Sequence, residues 1–236
     1  MKTKGRILAF GDSIIQGVVI DKQEQGCRFR MLPTSSVEQA ASELGAYSKN
    51  FGKIGCTIQN GEKILDDHLK DIRPSDIVLL EYGGNDSNYR WKEIASDPDR
   101  AHQPLTPIKE YAEAYRRMIN KIEQAGAVPV VLSLPPIDSE RSFWFFTKDM
   151  SIPEQKNIYR WLNGSLSNID HGHQLYNLES LKVAHSMLIP WIDLTSLFLS
   201  QRNYKDYLCE DGLHPNSKGH ELIAKEVMRV LNKTMV

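Results

Sequence analysis

The chain has 236 residues, 41% hydrophobic and 25% charged, which suits one α/β domain with a full core. Its 29 Lys and Arg against 30 Asp and Glu leave a formal net charge of −1, so no broad field favours nucleic acid or anionic lipid. No apolar run is long enough to cross a bilayer. The three cysteines (Cys27, Cys56 and Cys209) are widely spaced and lack any Cys-x-x-Cys, which argues against a disulfide framework or a zinc site.

The basic opening at residues 1–6 precedes an apolar run that ends at Phe10, too short for the core of a secretory signal. Cytoplasm is the expected setting. Residues 7–10 read instead as a buried first strand that stops at Gly11, with Ser13 on the turn leaving it. Residues 14–19 are short and apolar, and the polar stretch 21–30 is expected to be loop. Ser35-x-x-Glu38 matches a capping box and opens a helix that Gly45 stops. Residues 47–51 form the expected second strand. Over 62–72, Ile64, Leu65, Leu69 and Ile72 make a helical stripe ended by Pro74. Residues 77–80 are the clearest buried strand and run into Glu81-Tyr82-Gly83-Gly84-Asn85-Asp86.

Residues 88–103 show no periodicity and read as a long loop. Thr106-Pro107 starts a helix whose apolar face carries Ile108, Tyr111, Tyr115, Met118, Ile119 and Ile122. Residues 128–132 and 188–194 are the expected fourth and fifth strands. Between them, 139–187 is rich in aromatics, with helical patches at 157–166 and 175–185. A last amphipathic helix follows Asn216-Ser217. Alternating strands and helices predict a five-stranded parallel sheet in a three-layer α/β/α sandwich. One domain over residues 1–236 is expected. The stretches 88–103 and 139–187 exceed ordinary connections, so they are expected to cover the sheet's working edge, the latter as an insertion.

Ligands of open α/β sheets bind beyond the carboxyl ends of the strands, where Ser13 lies. Asp211-x-x-His214 can set a carboxylate against one imidazole nitrogen and leave the other to take a serine proton. Asp99-x-x-His102 has the same spacing but reads as a solvated surface turn; the later pair lies between the fifth strand and the last helix. Acyl transfer also needs donors for the developing oxyanion. The loop with Gly55 and the Gly83-Gly84-Asn85-Asp86 block both follow strands and offer such groups, though each taken singly is an ordinary turn.

Gly11-Asp12-Ser13-Ile14, Gly55, Gly83-x-Asn85-Asp86 and Asp211-x-x-His214-Pro215-Asn216 together resemble the SGNH (GDSL-type) hydrolase superfamily, with the blocks in that family's order. Ile14 replaces the usual Leu of the name-giving motif. The resemblance implies a flavodoxin-like sheet and an esterase or related acylhydrolase with no cofactor, and no metal is expected. It also implies Ser13 as nucleophile, His214 as base and Asp211 as its orienting acid. The backbone N–H groups of Ser13 and Gly55 and the side chain of Asn85 would be the oxyanion donors. The implied partner is a small acyl ester; the near-zero net charge and the lack of a long apolar run predict neither nucleic acid nor stable membrane insertion.

Other readings carry less. The elbow Gly-x-Ser-x-Gly is absent, as are Gly-x-Gly-x-x-Gly and a Walker loop. His171-Gly172-His173 reads as a loop pair without further ligands, and Asp12 and Asp86 as stabilisers of turns. Tyr89, Arg90 and Trp91 read as exposed loop. Phe143, Trp144, Phe145, Phe146, Tyr159 and Trp161 form an acyl pocket or lid, or simply pack the insertion down; both remain open. Within the hydrolases, carbohydrate O-deacetylase, lysophospholipase and thioesterase stay open. A non-catalytic flavodoxin-like binding module is the rival from another class.

Overall fold

The computed structural model describes residues 5–23 and 26–234; the N-terminal basic residues 1–4 lie outside them. In chain order the elements are β1 (Arg6–Gly11), α1 (Ser13–Gln16), β2 (Val18–Gln23), β3 (Gly26–Met31), α2 (Ser36–Glu43), β4 (Tyr47–Asn50) and α3 (Ile58–His68). There follow β5 (Ile77–Glu81), α4 (Trp91–Ser96), α5 (Ile108–Gln124), β6 (Val128–Leu132), α6 (Ser139–Thr147) and α7 (Ile152–Trp161). The chain continues through α8 (Ser167–Ser186), β7 (Trp191–Ile192), α9 (Leu194–Leu199) and α10 (Ser217–Thr234).

The central sheet has five strands in the order β4-β1-β5-β6-β7, all parallel. Counted within this sheet the order is 2-1-3-4-5, the flavodoxin-like arrangement, with its switch point at β1. Strand periodicity divides the core. Leu8, Phe10, Val78, Leu80 and Val131 point to one face with the apolar sides of α3 and α5. Ile7, Ala9, Leu79, Val130 and Leu132 point to the other, against α2 and α10. Both faces are dry, which is why these strands read as unbroken apolar runs. The α/β/α sandwich is as expected.

Several local expectations need correction. Of the stretch expected to be loop, 24–25 lie outside the described residues, and 21–23 and 26–30 belong to β2 and β3, which pair antiparallel as a hairpin. Its polar composition hid it, because one face is solvated and held by a charged cross-strand pair, Arg30 on Asp21 at 2.6 Å. The 88–103 stretch contains α4, too short to show a period. The insertion is three helices, and α7 begins with a capping box at Ser151 and Glu154. His171 and His173 therefore stand on α8, not in a loop. The fifth strand shrinks to Trp191–Ile192, since only those residues reach β6.

Candidate active site

Ser13 is the first residue of α1, placed by the sharp exit from β1. A Cβ on Gly11 would lie 2.3 Å from Ile15 Cγ1 and 2.7 Å from the Glu81 carbonyl oxygen, so only glycine lets the chain turn there. Asp12 then caps the helix by accepting from the Ile14 N–H at 2.9 Å, a bond whose loss ordinarily costs about 1 kcal/mol. Ser13 is 5% exposed and lines a small cleft.

His214 arrives from 201 residues away, and its Nε2 lies 2.9 Å from Ser13 Oγ. Its Nδ1 lies 2.5 Å from Asp211 Oδ2. Asp211 Oδ1 meanwhile accepts the backbone N–H groups of Leu213 and His214 at 3.1 Å each, so the carboxylate is oriented by the same turn that carries the imidazole. That turn needs Gly212: its φ is +67°, and a Cβ would stand 2.6 Å from the Asp138 carbonyl oxygen. Two further ties set the loop over the sheet. Cys209 Sγ accepts from the Ile20 N–H at 3.3 Å, joining it to the hairpin. Buried His220 lies 2.7 Å from Ser36 Oγ, joining α10 to α2. Phe29 of the hairpin stands edge-on to the His214 ring at 6.0 Å.

Burial of the His214 ring opposes its charge, but the hydrogen bond and field of Asp211, with Asp12 adding to them, lift it above the ordinary histidine value. In this arrangement an imidazole can accept a hydroxyl proton while a carboxylate steadies the resulting charge.

Asn85 lies beyond the end of β5, and its Nδ2 donates to Asp12 Oδ2 at 2.8 Å. Ser13, Asn85 and His214 line one cleft. Gly55 does not line it. It lies with φ +69° in the exposed loop after β4, which is pinned beside Ser13 by the Lys53 N–H on the Gly11 carbonyl and the Ile54 N–H on Gln16 Oε1. The rival pair separates: His102 meets the Asp97 carbonyl oxygen, and Asp99 pairs with Arg160 on the surface.

Beneath the cleft lies a feature the motifs did not reveal. Glu81 is fully buried, and neither carboxyl oxygen has a hydrogen-bond partner of ordinary geometry. Burial first, and then the neighbouring Asp12 carboxyl, push its pKa well above the usual carboxylate range. Two neighbouring buried acids disfavour each other's charge, which favours the protonated form of Glu81. A charge ending an otherwise apolar strand was the visible signal. Asp86 plays a different part. It accepts from the Ile58 N–H at the start of α3, and burial lifts its pKa to about 6. Among the described residues no group of three or more His, Cys, Asp or Glu could hold a metal ion, and no helix is long and apolar enough to cross a membrane.

Comparison with known proteins bears on this site. Residues 9–222 match the sequence model of the GDSL-like lipase/acylhydrolase family. An uncharacterised esterase of Bacillus subtilis is 26% identical over 165 residues, 70% of this chain and 36% of that protein. A GDSL esterase/lipase of Arabidopsis thaliana is 22% identical over 161 residues, 68% of this chain and 45% of that protein. The match thus spans less than half the length of these two curated relatives. Among solved structures, a lipase/acylhydrolase of Enterococcus faecalis superposes with a TM-score of 0.65 at 20% identity, covering 98% of this chain and 96% of that one. An aryl esterase of M. smegmatis gives 0.65 at 18% identity, covering 97% and 99%. At such identities these likenesses show the fold alone.

Proposed function

The chain belongs to the GDSL-like lipase/acylhydrolase family, and from that premise we propose that it hydrolyses carboxylic esters through an acyl-enzyme on Ser13. The observation that carries this reading is the continuous chain from Asp211 through His214 to the Ser13 hydroxyl, with bonds of 2.5 and 2.9 Å. His214 takes the Ser13 proton as the oxygen attacks the ester carbonyl. Asn85, the Ser13 N–H and the Gly55 N–H receive the developing oxyanion; for Gly55 this requires its loop to close onto the cleft. His214 then protonates the leaving alcohol, and water repeats the sequence to release the acid. The buried free thiols of Cys56 and Cys209 support a reducing, cytoplasmic setting.

Labelling with a fluorophosphonate followed by peptide mapping tests the assignment: the adduct is expected on Ser13 and absent from Ser13→Ala. A folded wild-type protein that resists the probe would favour the non-catalytic binding module instead.

A further inference from the structure

The family reading leaves the substrate open, and the passage between the catalytic cleft and its neighbouring cavity narrows it. The cleft at Ser13 and His214 adjoins a cavity of about 350 Å³. Its walls are mainly Tyr89, Trp91, Phe146, Trp161, Leu162 and Ile169. Of the insertion's aromatics, Phe146 and Trp161 line this cavity, whereas Trp144 and Tyr159 are exposed. Trp91 stacks on Phe146 at 4.4 Å between centroids, and Tyr89 meets Trp161 edge-on at 4.8 Å, so the rings fix one another. A space of about 150 Å³ suffices for benzene, so this one takes a ring together with a short tether.

Gly84, Asn88, Ile137, His173 and Leu213 line both spaces and form the neck between them. Two of these have polar side chains. Asn88 has committed its Oδ1, which accepts from the Tyr89 N–H and from Trp91 Nε1 and so holds the cavity wall. His173 is only 7% exposed, and its Nδ1 is sealed away without a hydrogen-bond partner. It is held on α8 one turn before Asn177, whose Oδ1 accepts the Leu134 N–H at 2.8 Å and locks α8 to the end of β6. The other ring nitrogen, Nε2, is not sealed and makes no hydrogen bond among the described residues, so it is the atom a substrate group in the neck can meet.

Resting on the hydrolase reading above, we propose that the acyl group carries a hydroxyl on the carbon α or β to its carbonyl, bonded to His173, and beyond it an aromatic ring seated in the cavity. The acyl half is assigned to this recessed space because it stays bound through the acyl-enzyme, whereas the alcohol leaves first. A neutral hydroxyl suits the neck. Burial holds the imidazole uncharged, with its pKa lowered to about 4, and no Lys or Arg lines the cavity to receive a carboxylate.

The test compares kcat/KM for methyl 3-phenyllactate and methyl 3-phenylpropanoate, which differ by one hydroxyl. The wild type should prefer the hydroxylated ester by at least about tenfold. His173→Phe should bring the ratio to within about twofold of one, and His173→Gln should restore part of it. In case His173→Phe fails to fold, the neutral inhibitors 3-phenyllactamide and 3-phenylpropanamide put the same question to the wild type, where the hydroxylated one should bind at least about tenfold more tightly. Equal handling of either pair by the wild type, or a preference that survives in folded His173→Phe, overturns the assignment. So does a preference that follows the leaving alcohol. Fluorophosphonate labelling run alongside separates the two levels: a labelled Ser13 with a flat ratio sinks only the pocket proposal. An unlabelled Ser13 sinks the hydrolase reading and this inference with it.

Discussion

The Asn85 side-chain amide donates to Asp12 Oδ2 at 2.8 Å, so the carboxylate that caps the Ser13 helix also aims the asparagine beside the cleft. One N–H of the amide is held and the other is free to turn toward a substrate oxygen. Asn85→Ala is expected to lower kcat by about 100- to 1,000-fold with little change in KM, the size ordinarily lost with one oxyanion donor. Asp12→Ala should cost less, and the double variant should be no worse than Asn85→Ala by more than the cap's share. Steady-state kinetics on the three variants check this; full activity in Asn85→Ala would remove it from the proposed oxyanion site.

The Asp12–Glu81 acid pair makes a prediction about stability. Because the folded state holds Glu81 protonated well above its ordinary range, wild-type stability is highest at low pH with respect to this group and falls as pH rises through the folded value. Glu81→Gln keeps the shape but does not titrate. Its stability relative to wild type should therefore increase with pH. Denaturant melts between pH 5 and 9 measure the difference directly.

Activity should follow the protonation of His214. Only the neutral imidazole accepts a proton, and Asp211 holds its pKa above the ordinary 6.5. The acid limb of kcat/KM is expected to have its midpoint above that value. Asp211→Asn should move the limb toward lower pH and reduce kcat by about 10⁴-fold, because both the charge partner and the tautomer are lost. A pH–rate profile on a neutral ester shows either outcome.

His220 stabilises the frame in the opposite pH sense. Burial lowers its pKa from 6.5 to about 4, so the unfolded chain binds a proton that the folded chain refuses between those values. Its contribution is complete above the unfolded value and declines as pH falls toward 4. The stability advantage of wild type over His220→Gln should shrink by about 3 kcal/mol from pH 7 to pH 4. Parallel urea melts of the two proteins give that number.

The central architecture was legible in the one-dimensional chain because its strands are buried on both faces: residues 7–10 and 77–80 admit only apolar side chains, and no neighbour can disguise that pattern. The blocks around Ser13 and Asn85 were legible for a related reason, since each stands where polar or glycine residues interrupt such a segment, and Asp211-x-x-His214 through its spacing alone. Elements with one wet face were hidden. The hairpin β2–β3 buries Val18, Val19 and Ile20 in succession and leaves Phe29 and Met31 exposed, so it shows no clean period, and α4 is a single short helix. Contacts between distant segments were beyond reach altogether. The acid pair of Asp12 and Glu81, the meeting of Phe29 with His214 and the placement of His173 at the cavity neck arise only when separate strands and helices close around shared space. Residue types and short spacings follow from local chemistry, which any stretch of chain carries with it. Burial, which decides how far Glu81's pKa rises and whether a histidine on α8 lines the cavity neck, exists only once the layers have packed.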